Sequence, residues 1–129
     1  MDVLVIDDNT VNSRLYERII ARLPGFACKC FDNPSDALAW SGQNAPALVV
    51  ADYAMPQMNG IDFVKAFRRI PGRSEIPIIM LTAMNSARLR DEAHGVGVDV
   101  FFAKPINPER FLGEARRLLE QSGQNQALN

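Results

Sequence analysis

The stretch "ALVVADYAMP", residues 47–56, carries five apolar residues into one carboxylate, Asp52, and continues without another acid or base. A near-continuous aliphatic run is the pattern of a strand covered on both faces, as in a parallel sheet. An acid at the tip of such a strand needs a reason. Working outward, four more apolar runs stand out: "VLVI" (3–6), "FACKCF" (26–31), "IPIIML" (76–81) and "VDVFFA" (98–103). The runs at 3–6 and 76–81 share the near-continuous character.

Segments with helical spacing separate these runs. Val11, Leu15, Ile19 and Leu23 recur at every fourth position, Ile61, Val64 and Phe67 form a second stripe, and Phe111, Leu112, Ala115, Leu118 and Leu119 a third. Ala37–Trp40 and Ala87–Ala93 are shorter candidates. Each helix start carries a capping residue: Asn9 or Thr10, Asn33-Pro34-Ser35, Asn59, Asn85 and Asn107-Pro108. Gly25, Gly42, Gly72 and Gly95 stand where the helices should end. The order βαβαβαβαβα predicts right-handed crossovers and a parallel sheet with helices on both faces. Five strands in one domain of this size fit a flavodoxin-like, doubly wound sheet in the order 2-1-3-4-5 with five helices. The expected domain spans 1–121, and the polar tail 122–129 is a frayed terminus or the start of a linker.

Composition excludes several classes. The chain has 129 residues, is 47% hydrophobic and 22% charged, and has a net charge of -1. That balance gives no footprint for nucleic acid or an anionic membrane. Arg88 with Arg90, and Arg116 with Arg117, read as solvated helix faces. No run approaches the length of a membrane helix, and no secretory leader is visible, so the expected compartment is the cytoplasm. Cys28 and Cys30, two apart on a strand, share one face and read as reduced packing residues.

In a parallel sheet, residues just past the strands share one edge, where ligands bind. Asp7 and Asp8 follow the first run, Asp52 the third, Thr82 and Ala83 the fourth, and Lys104 the fifth. Three carboxylates, a hydroxyl and an ammonium should therefore converge. Acids packed together repel one another, and a divalent cation with hard oxygen ligands relieves this, so Mg2+ is the expected cofactor. Asp8 and Asp52 are the natural direct ligands, with Asp7 acting directly or through water. Lys104 balances charge and can hold a phosphate oxygen. Thr82 offers a hydroxyl, and the Ala83 N–H is expected at a helix start that favours anions. Asp52 is placed as a nucleophile able to accept a phosphoryl group.

These motifs resemble the receiver domain of two-component response regulators over residues 2 to 121. "VLVIDDN" is similar to the family's acidic pair, "VVADYAMPQMNG" to its phosphoacceptor strand and Met-Pro-x-Met-x-Gly turn, "IPIIMLTA" to its threonine strand, and "FFAKPI" to its Lys-Pro end. The resemblance implies Asp52 as phosphoacceptor, and Asp7, Asp8, Asp52 and the Ala54 carbonyl as magnesium ligands. It implies Thr82 and Lys104 as phosphoryl contacts. It also implies a cis bond at Lys104–Pro105 and a switch that couples Thr82 to Phe101. Phe102, on the other face, is expected in the core. The implied partners are a sensor histidine kinase or phosphotransfer protein, and a downstream effector protein or domain.

Some positions depart from the family. The acid pair that many transcription-factor receivers use for dimer contacts is here Asp99 and Val100. Ala54 and Met84 hold the positions that influence phosphoryl lifetime, and neither can orient water, so slow self-dephosphorylation is expected. "GVGVDV" (95–100) has glycines like a dinucleotide fingerprint but follows a helix and precedes a strand, the wrong context for one. His94, the single histidine, reads as a helix-surface residue. Two rival readings remain: a degenerate receiver that docks proteins without phosphorylation, and an aspartate-dependent phosphohydrolase. The latter places its nucleophile and general acid two apart on the first strand, whereas Asp7 and Asp8 are adjacent.

Overall fold

A computed structural model describes residues 1–84 and 86–122. Its elements run β1 (Asp2–Ile6), α1 (Thr10–Ile20), β2 (Ala27–Phe31), α2 (Pro34–Gln43), β3 (Leu48–Asp52), α3 (Gly60–Arg69), β4 (Ile78–Thr82), α4 (Ala87–Gly95), β5 (Val100–Ala103) and α5 (Pro108–Gln121). All strand pairs are parallel, and the sheet order is β2-β1-β3-β4-β5. This is the flavodoxin-like arrangement expected. β3 and β4 are buried at every position, which accounts for their unbroken aliphatic runs.

Two apolar layers flank the sheet. Val3, Val5, Leu48, Val50, Ile79 and Leu81 point to one face, where α1 and α5 cover them with Tyr16, Ile20, Phe111 and Leu119. Leu4, Ile6, Val49, Ile78 and Met80 point to the other, against Phe63, Val64 and Phe67 of α3 and Leu89 of α4. The α3 and α5 stripes are buried as their spacing predicted. Phe102 is core, as expected, and stands 6.0 Å from Phe111 between ring centroids.

The α1 stripe is different. Val11 and Leu15 are 73% and 41% exposed, while Ser13, Tyr16, Ile19 and Ile20 are the buried face. With 3.6 residues per turn, each fourth residue drifts about 40° around the helix. A strict every-fourth series therefore winds off the core. The real face follows the alternating three-four spacing through Tyr16, Ile19, Ile20 and Leu23.

Caps occur at Asn9, Asn33, Asn59 and Asn107, each accepting a first-turn N–H. Ser86 caps α4 through the Leu89 N–H; Asn85, the residue expected there, lies outside the described residues. Gly25 and Gly72 have positive φ, as helix-ending glycines do. Gly42 and Gly95 instead lie inside α2 and α4, and Gly97, with φ 96°, makes the turn after α4. Residues 123–129, most of the expected polar tail, lie outside the described residues.

Arg68 joins the loops at the far end of the sheet. Its guanidinium donates to the carbonyls of Arg73 at 2.9 Å, Ile76 at 2.6 Å and Gly97 at 2.6 Å, and stands 3.7 Å from Asp99 Oδ2. Asp99 in turn accepts the Ile78 N–H at 2.9 Å. Asp99 is thus engaged within its own chain. Arg68→Ala leaves these carbonyls without their donor and is expected to cost about 1–3 kcal/mol. Urea unfolding should show a lower midpoint with an unchanged slope.

Candidate functional site

β1, β3, β4 and β5 all end at the same edge, and their last residues form one hollow. Asp7 directly follows β1, Asp52 and Thr82 are the last residues of β3 and β4, and Lys104 follows β5. Asp7, Asp52 and Thr82 are buried, at 1%, 6% and 1% exposure, whereas Asp8 is exposed. Asp7, Asp8 and Asp52 can each offer a carboxylate oxygen such that all three lie within 4.8 Å of one another. Lys104 Nζ is 3.0 Å from Asp52 Oδ1 and 3.6 Å from Asp7 Oδ2.

The charges around Asp52 do not balance. Burial is the largest effect and raises its carboxyl above the usual range; the Lys104 hydrogen bond lowers it, and Asp7 and Asp8 raise it again. One ammonium therefore does not compensate three clustered acids. The donor set is all oxygen, hard and anionic, and suits a divalent cation such as magnesium.

Asp7 is oriented by two groups whose part the sequence reading missed. The Asn9 N–H donates to Oδ1 at 2.9 Å, and Asn12 Nδ2 donates to Oδ2 at 3.3 Å. Asn9 was visible only as a cap; its place two residues after Asp7 was the available signal. Tyr16 was also missed. Its ring stacks on Phe111 with centroids 5.7 Å apart, and its hydroxyl is held well above its ordinary range by burial and by the charges of Asp7 and Asp52.

The Thr82 hydroxyl accepts the Met84 N–H at 3.0 Å, and the Thr82 carbonyl accepts the Lys104 N–H at 2.7 Å. The Lys104–Pro105 bond is cis. Ala83 does not start a helix: α4 begins at Ala87, so the helix-dipole argument for the Ala83 amide fails. Ala83 instead lines a cleft of about 410 Å³ with Asn12, Leu15, Tyr16, Lys104, Pro105 and Ile106. Ala54 lies in the loop between β3 and α3, two residues after Asp52. Phe101 is half-buried beside the α3/α4 layer, with the Arg90 guanidinium 5.5 Å from its ring centroid.

Gly60 brings α3 against this edge. Its N–H donates to the Tyr53 carbonyl at 2.7 Å. A Cβ at Gly60 would lie 2.7 Å from the Asp52 carbonyl oxygen and 2.9 Å from Tyr53 Cα. Only glycine permits this approach.

The fold and this acidic edge are those of a two-component signalling domain, and comparison with known proteins agrees. The response regulator receiver domain model matches residues 3–116, and the chain belongs to that family. Domains of this family are signalling modules, not conventional enzymes. The chain is 30% identical over 129 residues to the cyclic di-GMP phosphodiesterase response regulator RpfG of Xanthomonas campestris pv. campestris, covering 99% of this chain and 34% of that protein. It is 32% identical over 112 residues to chemotaxis protein CheY1 of Helicobacter pylori, covering 84% and 89% respectively. The crystallised chemotaxis protein CheY4 of Vibrio cholerae superposes with a TM-score of 0.84 at 29% identity, over 91% of this chain and 97% of that one. The chain spans a third of RpfG and about half the length of several other curated relatives. Among the described residues no helix is long and apolar enough to cross a membrane.

Proposed function

We propose that Asp52 accepts a phosphoryl group from a phosphohistidine donor in the presence of Mg2+, and that this switches a partner-binding surface. The observation that carries the reading is the meeting of Asp7, Asp8 and Asp52 with Lys104 in one hollow. An Asp52 oxygen attacks the donor phosphorus; an O–P bond forms, the P–N bond of phosphohistidine breaks, and an acyl phosphate results. Asp7, Asp8, Asp52 and the Ala54 carbonyl are the proposed magnesium ligands. A magnesium ion there would neutralise charge on the transferred group. Lys104, the Thr82 hydroxyl and the Ala83 amide are the proposed contacts for the phosphoryl oxygens.

The donor, a sensor histidine kinase or phosphotransfer protein, is proposed to approach over the cleft beside Lys104. Leu15 and Ile106, which line it, and the exposed Leu15 of α1 in particular, support that approach. On phosphorylation Thr82 exchanges its Met84 bond for the phosphoryl group and Phe101 repacks, altering the α4–β5–α5 face for a downstream effector protein or domain. The proposed receiver unit is 1–121. A cytoplasmic setting is proposed, which two unbridged cysteines support.

Incubation with acetyl phosphate and Mg2+, followed by mass measurement of the intact protein, tests this reading. A single phosphoryl adduct on Asp52 is expected, and it should fail to form when a chelator is present from the start of the incubation. Continuous turnover without an adduct would point to a phosphohydrolase, and no reaction to a docking domain. The adduct should also decay slowly, because neither Ala54 nor Met84 can position an attacking water. Time-resolved mass measurement checks this, and decay as fast as in the quickest chemotaxis regulators would refute it.

A further inference from the structure

Tyr16 is a buried polar residue that the chemistry of Asp52 leaves unused. It sits on α1 at 2% exposure, with its ring stacked on Phe111. Among the described residues no hydrogen bond ends on its hydroxyl, and no sealed side-chain oxygen goes without a partner. The hydroxyl oxygen is therefore the part of Tyr16 that meets solvent. The opening it meets is the cleft of about 410 Å³ beside Lys104, which Tyr16 lines. The charges of Asp7 and Asp52 both reach this hydroxyl, so it lies near the acidic hollow. Nothing in the fold uses it: a phenylalanine would keep the stack and bury no polar atom.

The other polar side chains of the cleft are engaged. Asn12 Nδ2 donates to Asp7 Oδ2 at 3.3 Å, and Lys104 Nζ stands 3.0 Å from Asp52 Oδ1. Leu15, Pro105 and Ile106 supply apolar walls. One uncommitted donor among apolar walls, beside the lysine that faces Asp52, suits a small heteroaromatic ring with one acceptor atom.

We propose that the Tyr16 hydroxyl donates a hydrogen bond to the leaving group of the phosphodonor, and so favours donors that release an aromatic ring bearing an acceptor nitrogen. This rests on the reading of Asp52 as phosphoacceptor. When an Asp52 oxygen attacks phosphorus, the O–P bond forms, the P–N bond breaks, and its electron pair moves into the departing ring. The ring nitrogen away from phosphorus becomes a stronger acceptor as this happens. A hydrogen bond to it therefore tightens in the transition state. Tyr16 keeps its proton throughout, and the released nitrogen takes up a proton from water.

N-phosphoimidazole and phosphoramidate are the probes, used with Mg2+ at mildly alkaline pH, where the distant ring nitrogen carries no proton. Imidazole extends into the cleft when it leaves; the single nitrogen of phosphoramidate ends at the P–N bond. Adduct formation is followed by mass measurement of the intact protein. The ratio of the phosphoimidazole rate to the phosphoramidate rate should fall about three- to tenfold in Tyr16→Phe, the effect of losing one neutral hydrogen bond. The variant's urea midpoint should match or exceed that of the native protein. An unchanged ratio would overturn the proposal, and a lower midpoint would assign the hydroxyl to the fold instead. If the native protein forms no adduct with either donor, the reading of Asp52 fails and this one falls with it.

Discussion

Asp52→Asn is expected to abolish the phosphoryl adduct completely while raising the melting temperature of the metal-free protein at neutral pH. The loss follows from chemistry: an amide oxygen is too poor a nucleophile to form the acyl phosphate. The gain follows from electrostatics. The Asp52 carboxyl is held above its ordinary range by burial first, then by Asp7 and Asp8, with Lys104 opposing. A raised folded-state value means that the folded chain binds this proton more tightly than the unfolded chain does. The resulting stability is fully present below the unfolded carboxyl value of about 3.9 and is lost as pH rises through the folded value. At neutral pH the ionised group is a liability to the metal-free fold, and asparagine removes it. Calorimetry of both proteins, metal-free, from acid to neutral pH should show the variant's advantage shrinking toward acid. Magnesium should stabilise the wild type more than the variant. A phosphorylated Asp52→Asn protein would end the assignment of Asp52 as acceptor.

Gly60→Ala should be the most damaging single-methyl addition. The atoms that its Cβ would meet are the Asp52 carbonyl oxygen and Tyr53 Cα, both main chain, and neither can rotate aside. Overpacking of this kind costs about 1–3 kcal/mol, and backbone obstacles place this case at the upper end. The strain must be relieved by moving α3 or the end of β3. The second route displaces Asp52 from Lys104, whose Nζ now stands 3.0 Å from Oδ1. A lower urea midpoint and several-fold slower adduct formation with acetyl phosphate are the expected results. Wild-type stability in Gly60→Ala would show that the approach of α3 is not set by this residue.

Much of this site could be read from the chain because a parallel sheet converts sequence position into spatial position. Once the aliphatic runs are strands pointing one way, the residues that follow them must share an edge. Asp7, Asp52, Thr82 and Lys104 could therefore be named without coordinates, and the structure brings them together. Strict periodicity and element boundaries are where local sequence departs from the folded chain. The every-fourth series Val11, Leu15, Ile19 and Leu23 resembles a buried stripe, but helical drift carries Val11 to solvent. Ala83 was given a helix start four residues early. Gly95 is the expected helix end, but local sequence does not show that Gly97 is the glycine that takes positive φ.

The βα alternation, the two-sided burial of β3 and the acids at the sheet's edge were determined by the sequence alone, through hydrophobic runs and alternation that depend only on local chain geometry; the strand order followed from the fold type these imply and is set by the tertiary pairing. Only the tertiary structure decided what holds each group in place. Asn12 reaches Asp7, Arg68 gathers the carbonyls of two loops, and Tyr16 lies within the field of both Asp7 and Asp52. Those contacts depend on how helices pack over the sheet and on which rotamers the packing leaves open. Burial of Asp52 belongs to the same level: the composition contains the carboxylate, but its cost arises only when the fold removes water and places other acids beside it.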